Sequence, residues 1–177
     1  MGRYAEQQAL NVALEDWTKT HTVFGTLKFV SGYDTPEDKA DKLHRLFWNK
    51  IDRTYFPSAA VRQGTRLPRV CVKHFGESGY NIHYHFMAQA HDIKTFKDTA
   101  QALWLDLDKY THDIEVTKIR DRQAAYHYLA HEYLRTGSKT LDEKTTHITE
   151  DDAVEFRNIS QLRRILRVQE SIPTFLT

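Results

Sequence analysis

His83 and His85 stand two positions apart in Ile82-His83-Tyr84-His85-Phe86. On a strand, side chains alternate between faces, so both imidazoles point the same way, with Cα atoms about 6.6 Å apart. Two rings leaning together over that gap can share one divalent ion. Ile82, Tyr84 and Phe86 take the other face. Val70, Val72 and His74 form one alternating set on the preceding strand, and a hairpin sets His74 beside the pair. Three imidazoles from adjacent strands leave coordination positions open, as a catalytic metal site requires. Glu77, in the connection between the strands, is the competing third ligand. Half-buried strand histidines with no metal are the plain alternative.

Ala124–Arg135 holds three tyrosines at helical spacing. Tyr126, Leu129, Ala130 and Tyr133 make a packing stripe. Tyr128, His131, Glu132 and Arg135 follow the i, i+3, i+4, i+7 pattern of a second, polar face. Tyr128 is therefore the tyrosine with polar company, and His131 can orient a phosphate or adjust the phenol. A tyrosine nucleophile is weak at its free pKa and needs a base, a metal or a polarised electrophile. An amphipathic helix with a surface tyrosine and histidine is the competing reading.

These side chains must be held by a framework. The chain has 177 residues, 40% hydrophobic and 12% aromatic, enough for a core without staples. Residues 1–20 read as a helix with Leu10, Val12, Ala13, Leu14 and Trp17 on its apolar side. In the strand His21–Val30, Val23, Gly25, Leu27 and Phe29 alternate with Thr22, Phe24, Thr26 and Lys28. Ser31-Gly32-Tyr33-Asp34 is a turn. Thr35-Pro36 then supplies an N-cap and a first-turn proline for a helix reaching Thr54, with Ala40, Leu43, Leu46, Phe47 and Ile51 as its stripe.

Residues 55–68 are loop-like. Strands follow at Arg69–Phe75 and Tyr80–Ala90, then a helix at Ile93–Tyr110, a strand at Ile114–Ile119 and a helix at Asp121–Leu134 ended by Gly137. Lys139–Thr149 reads as a linker and Glu150–Glu170 as a last, arginine-rich helix. Residues 1–138 thus form the main domain and 139–177 a linker with a helical appendage. The order of elements predicts an α+β fold of the ferredoxin-like or RRM-like split βαβ kind, with an antiparallel sheet and helices on one face.

Charge and composition narrow the classes. Lys plus Arg is 25 and Asp plus Glu 24, so the net charge of +1 does not announce nucleic-acid binding. Cys71 is the single cysteine, which excludes an internal disulfide and any cysteine-based zinc ribbon. No apolar run approaches the ~18 residues of a membrane span, and the first residues lack a signal region. The expectation is an intracellular protein with no membrane partner, in the cytoplasm, or in the nucleus of a eukaryotic host.

Three stretches resemble the HUH endonuclease superfamily of rolling-circle replication initiators, relaxases and single-tyrosine transposases. Phe24-Gly25-Thr26-Leu27-Lys28-Phe29 is similar to the first motif of the initiators. His83-Tyr84-His85 matches the His-hydrophobic-His motif that names the group. Tyr128-Leu129-Ala130-His131-Glu132 looks like their Y-x-x-K-E helix, with His131 in place of the lysine. Order, spacing and fold agree over residues 20–136.

The resemblance implies nicking and rejoining of single-stranded or hairpin origin DNA, with Mg²⁺ or Mn²⁺ on His74, His83 and His85. Tyr128 is then the nucleophile and Tyr126 the alternative, since some members use two tyrosines. The two lie about 200° apart around the helix and cannot share a face. Arg62, Arg66, Arg69 and Lys73 are the expected DNA contacts, with Arg163, Arg164 and Arg167 of the last helix equally placed as a solvated face. The chain holds no G-x-x-x-x-G-K-[ST] loop, so helicase and polymerase are expected from other proteins. A transposase or relaxase is the alternative within the group. A non-catalytic RRM-like module, stacking bases on Phe24, Tyr84 and Phe86, is the alternative outside it. A two-histidine, one-carboxylate oxygenase using Glu77 is disfavoured, because it needs a β-barrel.

Overall fold

The computed structural model describes residues 2–29, 35–107 and 113–148. Alternating side chains at Val23–Lys28 (β1), Arg69–His74 (β2), His83–Ala88 (β3) and Ile114–Lys118 (β4) build one antiparallel sheet in the order β2-β3-β1-β4. Helices intervene as Arg3–Trp17 (α1) before β1, Glu37–Tyr55 (α2) and Ala59–Arg62 (α3) before β2, Ile93–Leu107 (α4) before β4, and Arg122–Ala130 (α5) and Tyr133–Thr136 (α6) after it. The fold is α+β, as the order of elements implied. The expectation of helices on one face does not hold. α2 and α4 cover one face, and α1, α5 and α6 pack on the other.

The period-two pattern explains both layers. Val23, Leu27, Cys71, Tyr84, Phe86, Ala88 and Val116 meet Phe47, Trp48, Ile51, Phe96 and Trp104 of α2 and α4. Val70, Val72 and Met87 meet Leu10, Leu14, Trp17, Tyr126 and Leu129 of α1 and α5. Val12 and Leu46, read as part of apolar stripes, are instead exposed. α2 starts at Glu37 with Pro36 at the cap, one residue later than the Thr35 cap implied, and no side chain caps it.

Gly25 lies opposite Phe86 in the β1–β3 register, and a Cβ there would sit 2.1 Å from the Phe86 ring. Phe86 is hemmed in by Phe47, Trp48 and Phe96 and cannot swing away. Gly25→Ala is therefore expected to destabilise the fold by about 1–3 kcal/mol or more through overpacking. An unchanged urea midpoint would show that the core yields there.

Residues 139–148 are not a free linker. Lys73 N–H donates to the Thr140 carbonyl at 2.7 Å, and Arg69 and His147 exchange backbone bonds of 2.7 and 2.8 Å. Asp142 N–H donates to the Cys71 carbonyl, and Cys71 N–H to Thr146 Oγ1. The segment thereby covers the outer edge of β2, which would otherwise present unpaired backbone groups. Its buried threonines, which read as linker polarity, serve that strand: Thr146 through its hydroxyl on Cys71, Thr140 through its carbonyl on Lys73 N–H, and Thr145 through its carbonyl on the Arg69 side chain. The turn 31–34 and the arginine-rich helix 150–170 lie outside the described residues.

Candidate metal and tyrosine site

His74 and His83 are directly opposite each other in the β2–β3 register, and His85 faces Val72 on one side and Thr26 on the other. All three imidazoles project from the sheet face that carries α5. Ring centroids lie 5.6 Å apart for His74–His83, 4.6 Å for His74–His85 and 4.8 Å for His83–His85. One ligand nitrogen from each falls within 4.8 Å of the others.

Each ring has one nitrogen fixed from behind. His83 Nδ1–H donates to the Asn81 carbonyl at 2.8 Å, and His74 Nε2–H to the Leu129 carbonyl at 3.0 Å. His85 Nδ1 lies 2.9 Å from Thr26 Oγ1. The opposite nitrogens of two rings, His74 Nδ1 and His85 Nε2, are buried and have no hydrogen-bond partner. Buried polar atoms are ordinarily paired, so two orphaned lone pairs in one cluster fit a missing electrophile. A metal ligand oriented through its other ring nitrogen is the usual form of a histidine site.

Burial holds these rings neutral. It lowers the pKa of His85 to about 2, with the His74 and His83 charges acting in the same direction. Burial likewise lowers His74 and His83, against the raising effect of their carbonyl bonds and Glu132. His147 falls to about 4 through burial and the nearby Arg69. An unfolded histidine titrates near 6.5, so below that pH the unfolded metal-free chain takes up protons that the folded one refuses. Stability is thus complete above about pH 6.5 and falls below it, by up to about 1.4 kcal/mol per pH unit per histidine. Urea denaturation of the metal-free protein between pH 7 and pH 4.5 checks this; a flat midpoint is the contrary result.

α5 brings Tyr128 to the cluster. The Tyr128 ring lies 4.9 Å from that of His85 and 5.9 Å from that of His74, and the residue is 48% exposed. Phe24 stacks on His85 and meets Tyr128 edge-on at 6.0 Å. The helix starts cleanly because the Asp121 carboxylate accepts from Ala124 N–H. It stops at Ala130, earlier than the run to Leu134 implied. At this break, Glu132 turns inward and accepts from Phe75 N–H at 2.8 Å and Gly76 N–H at 3.0 Å. Burial raises the Glu132 pKa, but the Phe75 amide and Arg135 outweigh it, and the carboxyl sits below its ordinary value. Glu132 thus clamps the tyrosine helix to the end of β2.

α1 braces the same helix from outside. Gln7 Nε2 donates to the Ala130 carbonyl, and Arg3 Nη1 to those of Leu134 and Arg135. These are carbonyls that a helix end leaves without intrahelical partners. The N-terminal helix, whose role the sequence left open, is part of the scaffold that positions Tyr128.

The remaining sequence candidates separate. His131 is exposed, its ring 4.8 Å from Tyr128 and 4.6 Å from His74, with Nδ1 donating to the Tyr128 carbonyl. Tyr126 is buried among the α1 and α5 side chains, away from the imidazoles, which removes it as an accessible nucleophile. Glu77 is exposed in the β2–β3 connection and belongs to no metal-binding group among the described residues. A second group, His74, His131 and Glu132, is compact enough for an ion, but both Glu132 oxygens are already engaged.

Two of the expected DNA contacts are structural. Arg69 is 2% exposed, paired with Asp52 through two bonds of 2.7 and 3.0 Å and stacked on Trp48. Lys73 pairs with Glu37 and Asp41 on the face away from the histidines. Arg66 is half-buried, and Arg62 is exposed on α3.

Thr26 and Asn81 are the site residues that sequence reading missed. The alternation that sends Phe24 and Thr26 to the histidine face was the available signal for Thr26; nothing local marks Asn81. A hollow of about 390 Å³ adjoins Tyr128 and His85, walled by Phe24, Thr26, Glu115, Thr117 and Arg120 among others. Among the described residues no helix is long and apolar enough to cross a membrane. Comparison with family models, curated proteins and solved structures gives no match to this chain.

Proposed function

We propose that this chain is a metal-dependent strand transferase of the HUH endonuclease kind, which nicks and rejoins single-stranded DNA through a tyrosine. The observation that carries the reading is the shared cluster: one exposed phenol beside three imidazoles, two of which hold unpaired buried nitrogens. The strand order β2-β3-β1-β4, with β1-α2-β2-β3-α4-β4 connectivity, supports the split βαβ, ferredoxin-like form that the resemblance implies.

His74, His83 and His85 are the residues that would hold Mg²⁺ or Mn²⁺, and an all-nitrogen set favours the second over the first. When bound, such an ion supplies Lewis-acid polarisation of a phosphoryl oxygen. The chain's own side chains do the rest. Tyr128 Oη attacks phosphorus, loses its proton, and becomes joined to the 5′ phosphate as the 3′ oxygen leaves to become a free hydroxyl. One phosphodiester replaces another, so the step is near balance and the strand can be resealed. Phe24 and the Glu132 clamp hold the phenol in place, and Thr26 keeps His85 turned with Nε2 forward. The hollow beside Tyr128 has room for the nucleotide adjoining the scissile phosphate.

Initiation of rolling-circle replication, with helicase and polymerase supplied by other proteins, is the role we assign. Transposition or plasmid transfer uses the same chemistry. The base-stacking module is disfavoured by burial, because Tyr84 and Phe86 are fully covered by α2 and α4. Incubating the protein with pooled single-stranded oligonucleotides and Mn²⁺ tests the reading. A denaturation-resistant protein–DNA adduct that EDTA abolishes is expected. Folded protein that binds Mn²⁺ and DNA yet forms no adduct would leave only a binding module.

A further inference from the structure

Across the sheet from the histidines lies a second hollow, of about 310 Å³, lined by Arg45, Trp48, Asn49, Arg66, Arg69, Lys144, Thr145 and His147. No acidic side chain lines it. Asp52, beneath it, is 1% exposed and is consumed by Arg69 at 2.7 Å and by Arg66 at 3.4 Å. Arg45 and Asn49 are one helical turn apart on α2, so they present their heads to the same side. Lys144 comes from the turn that covers β2. Both Arg45 and Lys144 are exposed, and no acid among the described residues pairs with either side chain, Asp142 accepting only from Lys144 backbone N–H at 3.1 Å. The positive field is also felt within the hollow, where Arg69 and Arg66 add to burial in lowering His147. Arg45 and Lys144 also line the adjoining hollow, which carries Asp41, Asp142 and Glu143 and is of mixed sign, so the acid-free side is the one toward Asn49, Arg66 and His147.

We infer that this hollow is a phosphate-binding seat, built from Arg45, Asn49, Arg66, Lys144 and His147, for a phosphate ester of nucleic acid or of a free nucleotide. Guanidinium, amide and ammonium donors around an acid-free concavity are what a phosphate group requires. The seat is remote from Tyr128. Arg69 opens β2 and His74 closes it, about 17 Å along the strand, and their side chains leave opposite faces of the sheet. The inference therefore does not rest on the tyrosine chemistry.

The test uses the full chain without divalent metal. Amide chemical shifts are followed by NMR during titration with inorganic phosphate, thymidine 5′-monophosphate and an oligodeoxythymidylate, against chloride at matched ionic strength. Shifts centred on Arg45, Asn49, Lys144 and His147 are expected with inorganic phosphate. The double variant Arg45→Gln, Lys144→Gln should weaken binding by about tenfold or more, while Tyr128→Phe leaves it unchanged. Both replaced side chains are exposed, so the fold should be retained, and unfolding midpoints verify that.

If the source is nucleic acid, the oligonucleotide binds more tightly than the mononucleotide, and the double variant lowers its salt slope by about 1.4. If the source is a free nucleotide, the mononucleotide binds tightly and the oligonucleotide slope is unaltered. No shift at these residues with any of the three probes, or equal shifts in the folded double variant, overturns the inference.

Discussion

Tyr128→Phe is expected to abolish covalent capture of single-stranded DNA, by at least about 10³-fold, while leaving fold and Mn²⁺ affinity as they were. The loss is large because nothing nearby can substitute. Tyr126 is buried against α1, and Tyr133 is 4% exposed in the same apolar cluster. The fold should survive because the Tyr128 hydroxyl bonds to no other described group and half the residue faces solvent. Tyr126→Phe should leave capture intact. The adduct is read on a denaturing gel with labelled oligonucleotide. An adduct that persists in Tyr128→Phe and disappears in Tyr126→Phe would move the nucleophile and require α5 to turn by half a revolution.

Arg69→Ala is expected to cost about 3–5 kcal/mol of stability, the scale of breaking a buried ion pair. Its guanidinium donates to both Asp52 oxygens and to the carbonyls of Leu67 and Thr145, all within the protein. Removal leaves the Asp52 carboxylate, 1% exposed, with only Leu67 N–H and the longer Arg66 contact. It also detaches the segment carrying Thr145 from the edge of β2. Urea denaturation measures the difference. A loss below about 1 kcal/mol, the scale of an exposed pair, would mean that Asp52 finds water or another partner.

Arg69 also shows where sequence reading stops. The histidine pair, the third histidine and Tyr128 were legible because strand period two and helix period 3.6 decide which side chains share a face. The same arithmetic does not say which face is covered. Arginine in an alternating strand reads as solvent-facing or DNA-facing, yet here it is sealed beneath α2 by a carboxylate seventeen residues earlier in the chain. The 139–148 segment was misread for a related reason. Its threonines and Asp142 are polar, but they satisfy a strand edge and His44, which no local pattern encodes. α1 was legible as a helix, but its service to the tyrosine helix depends on contacts more than a hundred residues apart.

The most direct measurement is Mn²⁺ binding to the metal-free protein, read by electron paramagnetic resonance with resolution of nitrogen couplings. One ion per chain is expected, with couplings from imidazole nitrogens of His74, His83 and His85 and with the Tyr128 ring protons broadened by the nearby spin. Thr26→Val, which removes only the hydroxyl behind His85, should weaken affinity by about 10- to 100-fold. His83→Ala and His85→Ala should each reduce the nitrogen couplings. Binding that is indifferent to both histidine replacements, or an ion that leaves the Tyr128 resonances sharp, would contradict a metal held beside the phenol.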